Sequence, residues 1–272
     1  MKQSTSNKDL VVFFVLAFAF SWLLWLIGVL QSADVFSQLL PNMVWVVIGA
    51  HGPLVAAFGL TFARGGGTAA RQLLRAGFVV RIPPVWWAML LLSPFILSGL
   101  AVWLSVALTD FQPDLILLGQ PLLIIPTFLM MFFFGGSFQE EFGWRGYALP
   151  RLLARFNPVM ASLILGAIWS VWHLPLFFIS GLSQSYMPFG IFLVMGVAFS
   201  VLFTWAYIKT NRNLFTALLF HTAINTSLSV FPPFEQKIGG NHTAFIYLAG
   251  AYALVALGVV ITDRAMRAKV TE

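Results

Sequence analysis

Cysteine is absent from this chain of 272 residues, and charged residues are scarce. The lack of cysteine excludes disulfides, thiolate metal sites and a cysteine nucleophile, so any chemistry must use carboxylate, imidazole, hydroxyl or amide groups. Only 9% of the residues are charged, whereas a soluble globular domain has about 25%. Because 60% of the residues are hydrophobic, the composition indicates an integral membrane protein.

Long apolar runs recur along the whole chain, and a helix needs about 20 such residues to cross the hydrocarbon layer. We therefore predict an all-α, multi-pass transmembrane helical bundle of about eight spans, forming one membrane domain over residues 1–272. The first run, Leu10 to Leu30, is longer than the core of a signal peptide, so we expect an uncleaved first span. The predicted spans cover residues 9–31, 42–63, 85–108, 116–137, 159–180, 187–208, 213–231 and 243–262.

The net charge of +6 comes from basic residues in short loops, which argues against a nucleic-acid partner. All but one of the 15 Lys and Arg residues fall in alternate loops or termini, and Lys237 is the exception. Because cytoplasmic loops are enriched in Lys and Arg, this pattern predicts an N-in, C-in protein of the cell membrane. The residues on the predicted inner side are Lys2, Lys8, Arg64, Arg71, Arg75, Arg81, Arg145, Arg151, Arg155, Lys209, Arg212, Arg264, Arg267 and Lys269.

Residues 64–84 lie between the second and third predicted spans and begin with three consecutive glycines. Basic and apolar residues then alternate in a pattern typical of a short amphipathic helix at the membrane surface. A solvated loop is the alternative interpretation.

Inserting an ionisable side chain at the centre of a membrane helix costs about 2.5–3.5 kcal/mol of free energy. Ionisable residues within or beside a span are therefore candidates for a functional role. The set consists of His51, Glu140, Glu141, Arg145, His173 and His221, with the amide of Asn225 beside them.

Glu140 and Glu141 are adjacent and on a helix point about 100° apart. Glu141 and Arg145 have i, i+4 spacing in the favourable order, so Arg145 can hold Glu141 while Glu140 faces elsewhere. The alternative is that both carboxylates simply mark the solvated end of the fourth span.

His173 lies in an apolar stretch one turn after Trp169, and a lone histidine there is often a hydrogen-bonded structural residue. His221 and Asn225 share a helix face, where both can donate hydrogen bonds, although such residues also link membrane helices. Because three separate helices each offer polar groups, we favour one shared polar cavity. His51 fits a structural role or the lining of this cavity.

These groups supply what peptide hydrolysis requires, namely a base for water, an imidazole to orient it and donors for the oxyanion. The chain contains neither a Gly-x-Ser-x-Gly elbow nor a His-Glu-x-x-His zinc motif. Carboxylates and imidazoles could instead bind a divalent metal such as zinc, and its ligands would be Glu140, His173 and His221.

The three polar stretches resemble the signature motifs of the CPBP family. This family comprises the CAAX-protease and bacteriocin-processing intramembrane endopeptidases, also called the Abi family. Glu140-Glu141-x-x-x-Arg145 is similar to the first motif, Trp169-x-x-x-His173 to the second and His221-x-x-x-Asn225 to the third. The second motif of the family usually begins with Phe, and we expect Trp169 to alter pocket shape more than chemistry.

The resemblance implies that Glu140 and His173 activate water, that His221 and Asn225 form the oxyanion hole, and that Glu141 and Arg145 support them. It places a catalytic core at residues 120–230, with a peptide, a prenylated tail or a membrane-protein segment as substrate. Members of the family have been described both as glutamate-type and as metal-dependent proteases. We favour a mechanism without a cofactor, because Asn225 suits an oxyanion better than a metal. The alternatives are an ion-coupled transporter and a non-catalytic binding or immunity protein.

The predicted spans leave a problem of depth. Counting along straight helices, His221 lies about 14 Å and His173 about 22 Å from the inner boundary, whereas Glu140 lies near that boundary. Tilted or kinked helices would reconcile these depths. If Glu140 is well inside the membrane, we expect the fourth span to continue past Gly135-Gly136 as one long helix.

Overall fold

A computed structural model describes residues 7–237 and 239–268, and the regular elements within these ranges are all helical. The prediction of an all-α, multi-pass bundle is confirmed. Lys2 and Lys269, which contribute to the charge pattern, lie outside the described residues.

Twelve α-helices are present in the described part of the chain, joined by short 3₁₀ turns and one π-helical turn. They are α1 (Asn7–Ser32), α2 (Asn42–Gly49), α3 (Gly52–Ala76), α4 (Pro84–Leu108), α5 (Ile124–Phe134), α6 (Ser137–Gly143), α7 (Leu149–Leu153), α8 (Pro158–Trp172), α9 (Phe189–Lys209), α10 (Leu214–Val230), α11 (Thr243–Thr262) and α12 (Arg264–Arg267). The 3₁₀ turns are Pro121–Leu123, Leu174–Phe178 and Ser183–Tyr186, and the π-helical turn is Trp144–Ala148.

Seven helical stretches of the described chain are long and apolar enough to cross a membrane. They correspond to seven of the eight predicted spans. The eighth, predicted at 213–231, is helix α10, whose 17 residues extend only about 26 Å. Most of α10 is buried, and it packs against α4, α5, α6 and α9. Because protein surrounds it, this central helix need not match the thickness of the lipid.

The fourth predicted span, 116–137, differs most from the observed helices. Helical structure extends from Pro121 to Leu153, but it breaks at Gly135-Gly136 between α5 and α6. Gly136 has φ +104°, a conformation that disfavours any residue with a Cβ. The expectation of one continuous helix past these glycines is therefore wrong, because the chain changes direction there and α6 turns inward. As a result α6 is almost wholly buried, whereas no residue of α5 is buried.

The second predicted span also continues beyond its expected end. Helix α3 extends to Ala76 and is redirected at Gly66, where φ is +65°. The helical interpretation of residues 64–84 is confirmed as far as Ala76, and the solvated-loop interpretation is wrong for that part. Whether this segment lies on the membrane surface stays a prediction.

Local capping fixes the helices that carry the histidines. Helix α8 begins after Asn157, whose side-chain oxygen accepts a hydrogen bond from the backbone N–H of Met160 at 2.8 Å. Helix α10 begins after Asn213, which accepts from the N–H of Phe215 at 2.9 Å. Such caps satisfy backbone donors at a helix start, so they fix where α8 and α10 begin.

Candidate active site

The site lies beside the break between α5 and α6 at Gly135-Gly136, which we call the glycine break. The carbonyl of Gly136 accepts a hydrogen bond from the backbone N–H of Glu140 at 2.8 Å, which starts α6. A Cβ built on Gly136 would lie 2.5 Å from Oε1 of Glu140 and 3.3 Å from Nε2 of His221. Only glycine therefore leaves room for the carboxylate and the imidazole to approach this point together.

The carboxylate of Glu140 is buried and has two different neighbours. Oε2 accepts a hydrogen bond from the indole Nε1 of Trp169 at 2.6 Å. Oε1 lies 3.9 Å from Nε2 of His173, which is too far for a direct hydrogen bond. The two oxygens are thus distinguished, with one held by α8 and the other facing the imidazole.

The imidazole of His173 is oriented by its own helix. Its Nδ1 lies 2.8 Å from the carbonyl oxygen of Trp169, and a carbonyl can only accept, so the proton belongs on Nδ1. In the neutral ring, Nε2 is then an acceptor that faces Oε1 of Glu140. Two hydrogen-bond acceptors therefore face each other across 3.9 Å.

A second group of side chains holds His221. Oε1 of Glu141 accepts hydrogen bonds from Nη1 of Arg145 and from Nδ1 of His221, both at 2.8 Å. All three residues are buried. The guanidinium of Arg145 also lies 4.1 Å from the centre of the Phe203 ring. This arrangement fixes the imidazole of His221 so that Nε2 is directed towards the glycine break.

Asn225 lies one turn after His221 on α10. Its Nδ2 donates a hydrogen bond of 2.6 Å to the carbonyl oxygen of Gly135, so α10 is tied directly to the glycine break. An amide nitrogen carries two hydrogens, and the second is not used in this contact. Asn225 is half-buried, unlike His221.

Comparison with known proteins shows which proteins this part of the chain is similar to. Residues 120–227 match the family described as type II CAAX prenyl endopeptidase, Rce1-like. The chain is 30% identical over 165 residues to CAAX prenyl protease 2 of Methanococcus maripaludis, which covers 58% of the chain. The chain is therefore similar to CAAX prenyl endopeptidases over residues 120–227. It spans 52% of the length of this curated relative.

The structure brings Glu140, His173, His221 and Asn225 to one place. His173 lies beside Glu140, whereas His221 and Asn225 approach the glycine break. The alternative that both glutamates are solvated is wrong, because Glu140 and Glu141 are 4% and 0% exposed.

His51 contacts the region indirectly. Its Nδ1 lies 2.8 Å from the carbonyl of Val47 and 3.4 Å from Nε2 of Gln139, and Oε1 of Gln139 accepts from the N–H of Gly136 at 3.0 Å.

Two residues of the site were not recognised as functional in the sequence. Gly136 could have been suspected only from the Gly135-Gly136 pair, which is equally compatible with a continuous helix. At Trp169 the sequence predicts a change in pocket shape more than in chemistry, yet the residue contacts Glu140 through its only side-chain hydrogen-bond donor. The signal was present in its i, i+4 spacing to His173, which places the indole on the face of α8 that carries the histidine.

The alternative zinc site, with Glu140, His173 and His221 as ligands, stays a prediction. Two ligands about 2.0–2.1 Å from a tetrahedral zinc lie roughly 3.4 Å apart, and Glu140 and His173 are separated by 3.9 Å. Oε2 of Glu140 already accepts from Trp169. Among the residues that the structure describes, no three His, Asp or Glu side chains are grouped closely enough to hold a metal ion.

Proposed function

We propose that this chain is an intramembrane endopeptidase that hydrolyses a peptide bond without a metal cofactor. The observation that carries the proposal is the pair of acceptors, Oε1 of Glu140 and Nε2 of His173, facing each other at 3.9 Å. A water molecule about 2.8 Å from both atoms can donate one hydrogen to each. Both contacts withdraw protons from the water, which makes its oxygen a better nucleophile.

The remaining groups suit the oxyanion that forms when water attacks a carbonyl carbon. Nε2 of His221 is directed towards the glycine break beside Oε1 of Glu140. When the ring carries a proton on Nε2, this nitrogen can donate a hydrogen bond to the oxyanion. The free amide hydrogen of Asn225 supplies a second donor. Glu140 accepts the proton of the water and returns it to the leaving amine as the carbon–nitrogen bond breaks.

We further propose that the substrate is a membrane-associated peptide with a prenylated C-terminal tail. The support is the similarity to type II CAAX prenyl endopeptidases and to the CAAX prenyl protease 2 of Methanococcus maripaludis. A prenylated cysteine would anchor such a peptide in lipid beside the spans. Residues 120–230 would form the catalytic core within a single membrane domain.

The test is cleavage of an internally quenched peptide that ends in a farnesylated Cys-aliphatic-aliphatic-X sequence, by purified protein in proteoliposomes. Glu140→Gln removes the base and should lower the rate by roughly 10²–10⁴-fold. Glu235→Gln makes the same change at a glutamate that forms a surface pair with Lys237, and should leave the rate unchanged. Wild-type cleavage by the Glu140→Gln protein would refute the proposal, as would ion flux without any cleavage.

For topology we propose an N-in, C-in orientation in the cell membrane, supported by the distribution of Lys and Arg. Because the chain has no cysteine, a single introduced cysteine is a unique label. In intact cells, an impermeant maleimide should label Lys237→Cys but reach Arg267→Cys only after permeabilisation. The reverse pattern would overturn the orientation.

A further inference from the structure

Trp169 contacts residues of all three motifs. It is 5% exposed, and its indole N–H donates to Oε2 of Glu140 at 2.6 Å. Its ring lies edge-on to His173 with centres 5.1 Å apart, and edge-on to His221 at 5.9 Å. The guanidinium carbon of Arg145 is 5.4 Å from the ring centre.

The indole does two separable things. Its ring fills space between the two imidazoles, which a phenyl ring would do in part. Its N–H donates to a carboxylate, which phenylalanine cannot do because it has no donor. A hydrogen bond from N–H to an ionised carboxylate is about twice as strong as one between neutral groups.

The hydrogen bond also determines where the other carboxylate oxygen lies. Because a carboxylate is planar, fixing Oε2 against the indole restricts rotation of the whole group and directs Oε1 towards Nε2 of His173. The terminal torsion of a glutamate is otherwise broad, so without this contact the base would sample several orientations. A reaction is faster when its catalytic group is already held in the reactive orientation.

We propose that Trp169 is a positioning residue whose indole N–H holds the carboxylate of Glu140 in the orientation that activates water. This inference rests on the proposed peptidase function and deepens it. The inference adds a specific chemical contact to the change in pocket shape that the sequence predicts at this position. We infer that this protein depends on an indole donor where the resemblance predicts phenylalanine.

The experiment compares two replacements of Trp169 in the farnesylated-peptide assay. Trp169→Phe removes the donor and part of the ring. Site-specific incorporation of β-(3-benzothienyl)alanine at residue 169 keeps the bicyclic shape and replaces only the N–H with sulfur. This second variant tests the loss of the donor even if the smaller phenyl ring disturbs packing. Both should lower kcat by roughly tenfold or more, because a hydrogen bond to a charged group is lost, and leave KM nearly unchanged.

Trp172→Phe is the matched control. Trp172 is buried in the same helix and lies edge-on to His173 at 4.7 Å, so the exchange removes the same volume beside the same imidazole. Its Nε1 has no hydrogen-bond partner among the described residues. Trp172→Phe should therefore keep kcat close to that of the wild type. Thermal unfolding of this variant and of the two proteins altered at residue 169 shows how much of any loss in kcat comes from weaker packing.

The outcomes separate this inference from the function on which it rests. If the wild type cleaves, Glu140→Gln does not and the benzothienyl protein keeps the wild-type kcat, the positioning role is refuted and the peptidase stands. Equal losses of kcat in Trp169→Phe and Trp172→Phe would likewise refute it. If Glu140→Gln cleaves at the wild-type rate, the proposed function itself fails.

Discussion

Replacing Gly136 by alanine should inactivate the protein at moderate cost in stability. The new Cβ would lie 2.5 Å from Oε1 of Glu140, whereas ordinary contacts begin near 3.5 Å, so the carboxylate must move by about 1 Å. A displacement of that size in a catalytic group can cost roughly 10²-fold in rate. The positive φ adds strain of about 1–3 kcal/mol to the folded state.

Gly181→Ala separates the two effects. Gly181 also has a positive φ, +83°, but a Cβ there meets no atom within 4 Å. This variant should lose comparable stability and keep its activity. Initial rates on the quenched peptide, together with thermal unfolding of both purified variants, provide the measurement. Wild-type cleavage by Gly136→Ala, or equal loss of activity in Gly181→Ala, would refute the reasoning.

Three further predictions concern charge and metal. Glu141→Gln leaves the buried guanidinium of Arg145 without its counter-charge, so the free energy of unfolding should fall by about 3–5 kcal/mol, and an unchanged denaturation midpoint would contradict this. The hydrogen bond from Lys209 lowers the pKa of Asp263. The ion pair therefore stabilises the fold above the ordinary carboxyl pKa, and this stabilisation is lost as the pH falls through the lowered pKa of Asp263. Asp263→Asn should therefore cost a few tenths to about 1 kcal/mol at pH 7, a difference that shrinks below about pH 4; equal differences at both pH values would count against it. Exhaustive chelation should leave the cleavage rate unchanged, whereas a loss restored specifically by zinc would favour the metal-dependent mechanism.

The helices could be predicted because lipid imposes a simple rule on sequence. A spanning helix must satisfy its own backbone and present apolar side chains, so runs of about 20 apolar residues locate the spans. The break at Gly135-Gly136 could not be predicted in this way, since glycine is tolerated within membrane helices when neighbours satisfy the backbone. Here the amide of Asn225, from a helix distant in sequence, binds the carbonyl of Gly135.

The site could be predicted in part for the same reason. The i, i+4 spacing of Glu141 and Arg145 correctly predicts their contact, because that spacing is a property of a single helix. The contact between Trp169 and Glu140 depends on how α6 and α8 pack, and no local pattern specifies it. Local spacing therefore finds the members of the site, and the packing of the helices decides which atoms meet.

A structure of the wild-type protein with a non-hydrolysable peptide analogue bound is the most direct test of the proposed mechanism. We predict that the tetrahedral centre of the analogue lies between Glu140 and His173, with its oxygen within hydrogen-bond distance of His221 and Asn225. An analogue seated away from the glycine break, or a Glu140 carboxylate turned away from His173 in that complex, would contradict it.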